Sequence, residues 1–158
     1  VGKRHEGGKR MEQFTFYELY ADILQSMDDV SAGKLASCIC AYEFEDKEPA
    51  GELSDRENFY WSNIADILKE VKETERAGKV PKKFNLQSRH FTFYETYYNA
   101  MKLLNVRKRG IFVKAICAYM FGNEETHFAV ALCVFAFRCG KPAIGLPAAN
   151  KKQIDMKN

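Results

Sequence analysis

The sequence predicts an all-α protein made of two tandem related helical repeats, about three helices each, packed into one compact pseudo-symmetric body. Three observations predict it. FTFYELY at residues 14–20 returns as FTFYETY at residues 91–97. At the same offset Gly33 answers to Gly110, while Ile39, Cys40, Ala41, Tyr42 and Phe44 answer to Ile116, Cys117, Ala118, Tyr119 and Phe121. Twelve of thirty-one aligned positions are identical, mostly aromatic or apolar, so the copied element reads as a packing unit and not a reaction centre. Third, apolar residues within each copy recur at helical spacing. A chain of 158 residues can bury roughly 70% of its unfolded surface. Either copy alone would be marginal, so the two are expected to close over a shared core about a pseudo-twofold axis.

Residues 1–10, VGKRHEGGKR, are basic and glycine-rich and read as a disordered segment. Codons for Glu6-Gly7-Gly8 can spell a bacterial ribosome-binding sequence ahead of Met11, which makes Met11 the expected natural start. Repeat 1 spans 11–76. Thr15 and Glu18 fit a T-x-x-E capping box opening its first helix, with Phe16, Tyr20, Ile23, Leu24 and Met27 on the apolar stripe. Thr92 and Glu95 repeat the box, followed by Phe93, Tyr97, Met101 and Leu104. The second helix runs from about Ser31 to Phe44, and its copy from about Lys108 to Phe121. Gly33 and Gly110 each cost about 1 kcal/mol against alanine inside a helix. Their recurrence predicts close passage of the first helix.

Ser54 and Glu57 form a third capping box, opening a helix to about Lys72 with Tyr60, Trp61, Ile64, Ile67, Leu68 and Val71 buried. Gly78, Pro81 and the flanking lysines then mark a basic linker, 77–90. Repeat 2, 91–158, carries an inserted apolar helix at residues 128–137, FAVALCVFAF, which resembles residues 112–121. It is expected in the core. Its ten residues fall short of the about twenty needed to cross a bilayer. The third helix of this copy, about 148–156, is short and poor in hydrophobes.

Chemistry is sparse. The sequence holds no P-loop, dinucleotide fingerprint, zinc spacing or nucleophile elbow, so no catalytic residue, cofactor or metal site is expected. Cys38 and Cys40 point to different sides of a helix. Five cysteines without a secretory leader fit reduced thiols in a bacterial cytoplasm, with Cys38, Cys40, Cys117 and Cys133 as small buried hydrophobes. His5, His90 and His127 read as exposed. The repeated Tyr17, Tyr20, Tyr94 and Tyr97 read as core, and Tyr98 as the exposed member because Ala21 takes its place in copy one.

Charge is nearly balanced, 24 basic against 21 acidic side chains, so its distribution matters more than its sum. The turn before the second helix is DDVSA in copy one and NVRKR in copy two. Arg107, Lys108 and Arg109, with Lys79, Lys82 and Lys83, make a candidate phosphate-binding surface. Glu43, Glu45, Asp46 and Glu48, with Tyr98, make a candidate protein-binding surface.

With FTFYE, the I-C-A-Y-x-F ending of the second helix, the Glu48-Pro49 turn and GKVPKK at residues 78–83, repeat 1 resembles the family known as domain of unknown function 6291. Residues 91–121 resemble it less fully, as a divergent second copy. That family occurs mostly in bacteriophages and prophages, commonly near replication genes, and has no established catalytic residue. Val80 stands where its tail usually has arginine, which weakens comparison with a minor-groove hook. The resemblance implies a non-enzymatic phage or prophage accessory protein. Protein binding, as a replication adaptor or inhibitor of a host system, is the first expectation and nucleic-acid binding the alternative.

Overall fold

The computed structural model describes residues 11–78 and 89–122. The described residues are mostly helical, with a small two-stranded sheet, so the fold is not all-α. The order is β1 (Gln13–Tyr17), α1 (Glu18–Gln25), α2 (Asp29–Glu45), α3 (Asp55–Arg76), β2 (His90–Tyr94), α4 (Glu95–Lys102) and α5 (Val106–Gly122). β1 and β2 pair antiparallel, with Phe14 opposite Phe93, Thr15 opposite Thr92 and Phe16 opposite Phe91.

The two strands correct the expected capping boxes. FTFY alternates aromatic and polar residues with period two, a strand pattern that competes with the T-x-x-E signal. Pairing wins because it places Phe14, Phe16, Phe91 and Phe93 on one buried face. Tyr17 and Tyr94 occupy the N-cap positions, and neither makes a side-chain capping bond. The Glu18 and Glu95 amides instead donate across the ribbon to the Arg89 and Glu12 carbonyls, at 3.0 and 2.9 Å. His90, expected in solvent, is a half-buried strand residue against the Tyr17 ring.

α1 and α4 are two turns long and end where polar Asp28 and Asn105 take over. Asp28 caps α2 by accepting from the Ser31 amide at 2.9 Å, and that bond holds its carboxyl below the usual range. Asn105 accepts from the Lys108 amide at 2.9 Å and caps α5 in the same way. The Ser54–Glu57 capping box is present as expected, and α3 runs one turn beyond Lys72 to Arg76.

α2 and α5 cross at their glycines, which corrects the expected neighbour of each. A methyl group built on Gly33 would overlap the Val106 carbonyl, and one on Gly110 would overlap the Asp29 carbonyl. The core above this crossing is aromatic. Phe14 meets Phe44 at 5.2 Å and Phe91 meets Phe121 at 5.4 Å. Phe16 stands edge-on to Tyr20 at 86°, and Phe93 to Tyr97 at 88°. α3 lies on the outer side of α2 through Ile64, Leu68 and Val71.

Candidate functional site

Of the acidic candidates, Glu43 and Tyr98 are not surface groups. Glu43 is 2% exposed and lies near Lys72, Glu75 and Arg76 of α3. Tyr98 is 8% exposed and stacked on Phe44 at 5.6 Å, where the smaller Ala21 sits in the corresponding place of the first segment. Glu45 pairs with Lys47 at 2.9 Å and Lys102 at 3.0 Å, and those bonds pull its carboxyl down to about 2. Asp46 ends α2 in the left-handed conformation, φ 55°. It is held there by Lys72 at 2.6 Å and Arg76 at 3.1 Å, with the Lys72 hydrogen bond lowering its carboxyl. Glu48 is exposed.

Of the basic candidates, Arg107 and Lys108 are exposed in the first turn of α5. Arg109 is committed elsewhere. Its Nε donates to the Met101 and Leu104 carbonyls, both at 2.9 Å, closing the C-terminal end of α4. Lys114 does the same for α1, donating to the Met27 carbonyl at 2.6 Å and pairing with Asp29 at 3.1 Å. Lys79, Lys82 and Lys83 lie outside the described residues, as do Cys133, Cys139, His5, His127 and the helices expected at 128–137 and 148–156.

Three predicted residues from the two different sets meet in one place. Glu48, Tyr98 and Arg109 line an open groove of about 580 Å³ between α2, the 46–54 loop and the junction of α4 with α5. Its floor is Ser37, Cys38 and Ala41 of α2. Pro49, Ala50 and Leu53 form one wall, Tyr98 and Val106 the other, with Lys34, Lys47, Glu48 and Glu52 at the rim. Sequence reading missed the groove because its walls come from segments some fifty residues apart. Only the Glu48-Pro49 turn hinted at it, since proline ends a helix and forces extended chain before it.

The one thiol on the groove floor is not poised as a nucleophile. Burial, with Glu52 and Glu57 nearby, pushes the Cys38 thiol up to about 11, so it stays protonated at neutral pH. Cys40 and Cys117 are fully buried. Among the described residues no group of histidine, cysteine and carboxylate side chains could hold a metal ion, and no helix is long and apolar enough to cross a membrane. No family model, curated protein or solved structure matches the chain.

Proposed function

We propose that the chain is a non-catalytic binding protein of phage or prophage origin, built by tandem duplication of one unit, that takes a short segment of a protein partner into the groove. The groove carries this reading. Its volume lies within the 300–1,000 Å³ usual for binding clefts, and mixed apolar and charged walls suit an extended peptide better than a purely apolar ligand. Duplication is supported by the matched element lengths of five, eight and seventeen residues in β1–α1–α2 and β2–α4–α5. The phage or prophage setting, and a role as adaptor or inhibitor in the bacterial cytoplasm, rest on the sequence resemblance of repeat 1.

Ala50→Trp tests the groove, because Ala50 is exposed and lines it without belonging to the core. In affinity purification from host cells the wild type is expected to retain a stoichiometric protein that A50W loses while keeping its circular dichroism. Equal retention by both overturns the groove as the binding surface. The nucleic-acid alternative draws on Arg107 and Lys108 alone among the described candidates. If it holds, R107A/K108A will weaken gel-shift affinity and flatten its salt dependence by about two phosphate contacts.

A further inference from the structure

The position of Glu43 invites comparison with its counterpart in the second segment, Met120. Both are buried, at 2% and 3% exposure, so the architecture accepts an apolar side chain there. Yet one copy holds a carboxyl group, and its Oε2 has no hydrogen-bond partner among the described residues. The Tyr20 hydroxyl is likewise buried and without one. Close by, Lys72 is 3% exposed, donates to the Tyr42 carbonyl, lies 4.5 Å from the Tyr42 ring centre and pairs with Asp46.

We propose that Glu43, Lys72 and Asp46 form a proton-controlled switch, in which ionisation of Glu43 draws the Lys72 ammonium off Asp46 and frees the 46–54 loop that walls the groove. Asp46 is the anchor of that loop. It holds a left-handed backbone conformation that a non-glycine residue rarely adopts, and Lys72 and Arg76 of α3 grip its carboxylate. Remove Lys72, and one of the two grips is gone.

The groups that face Glu43 set the direction. From α3 come Lys72, Glu75 and Arg76; from α1, Tyr20, itself next to Tyr17 of β1; from its own helix, Cys40 and Tyr42; and past the helix end, Asp46. Burial pushes the Glu43 carboxyl up to about 8, with Lys72 opposing and Glu75 adding to the rise. At neutral pH the acid is therefore mostly protonated and Lys72 is left to Asp46. Above that range a second carboxylate competes for the same ammonium. Only in its consequence for binding does the switch rest on the groove being the docking surface; the test reads the chain alone.

Trp61 is the single tryptophan and packs edge-on to Tyr42 at 6.1 Å, beside the Lys72 contact, so its emission reports on the α2–α3 seam. Fluorescence of the full chain between pH 6 and 9.5 is expected to show a transition with a midpoint near 8. Hydrogen exchange of peptide 46–54, corrected for intrinsic rate, is expected to rise several-fold across the same transition. Glu43→Gln and Glu43→Met should abolish both changes, and Glu75→Gln should keep them. Lys72→Met should leave loop exchange fast at every pH. A flat wild-type profile, a transition that survives in E43Q, or one that disappears in E75Q overturns the switch.

Discussion

Glu43 is expected to make the stability of this fold depend on pH. Burial pushes its carboxyl from an ordinary 4.5 up to about 8 in the folded state, so between those values the native state binds more protons and stability is expected to fall as pH rises. Glu43→Met, which imports the residue found at position 120, is expected to raise the melting temperature most at pH 8–9 and least near pH 5. The gain should be on the order of a few kcal/mol, and a pH-independent difference would contradict it. Arg109 and Arg107 make a second contrast. Arg109→Ala removes three carbonyl contacts at the end of α4 and is expected to cost about 1–2 kcal/mol in urea unfolding. Arg107→Ala, at an exposed position, should stay within about 0.5 kcal/mol of wild type. Burial of Glu43 was not legible in the chain because α2 is covered on two sides, by α5 and by α3, and that of Tyr98, in α4, was not because its stacking partner Phe44 comes from α2. A helix packed that way has no solvent face along much of its length, so periodicity cannot say which polar residue is hidden.

At the scale of elements, the decisive contact is between α2 and α5. In an open helix Gly→Ala gains about 1 kcal/mol, but a methyl at Gly33 or Gly110 would drive into the backbone of the facing helix. Gly33→Ala and Gly110→Ala are each expected to cost about 3 kcal/mol or more, measured by thermal unfolding; a stabilised variant would refute the close crossing. The recurrence of both glycines was readable and its meaning was not: the neighbour expected at each was the first helix, and the backbone found there is that of the other glycine's helix. The third helix was read more fully. Its Ser54 cap, Glu57 return bond and buried Ile64, Leu68 and Val71 are local features that the sequence spells out. The strands were missed because Thr15 and Thr92 satisfy two local codes at once, a helix cap and an alternating strand. Only a partner strand seventy-seven residues away decides between them.

At the scale of the whole described structure, the contacts of the strand ribbon come in reciprocal pairs. Thr15 lies opposite Thr92, its counterpart at the common offset, and the Glu18–Arg89 and Glu95–Glu12 backbone bonds are the same bond seen from either segment. Thr15 and Thr92 form a non-hydrogen-bonded pair, since the bonded positions alternate from Glu18 and Arg89, and such pairs bring Cβ atoms close. Thr15→Cys/Thr92→Cys is expected to oxidise to an intrachain disulfide, seen by mass spectrometry of an unreduced digest. Closing a loop of that length should add up to about 4 kcal/mol in the chain-entropy model. Failure to form under oxidising conditions would count against the strand pairing. By itself the sequence determined that FTFYE and the I-C-A-Y-x-F stretch recur, that most of the aliphatic and phenylalanine positions on the helical stripes are core, and where α3 begins, because these follow from local spacing and capping chemistry. The tertiary structure alone decided that FTFY is a strand, that the glycines face each other, and that Glu48, Tyr98 and Arg109 share a groove. Each of those depends on which distant segment supplies the missing hydrogen-bond partner or fills the space beside a Cα, and no window of neighbouring residues carries that information.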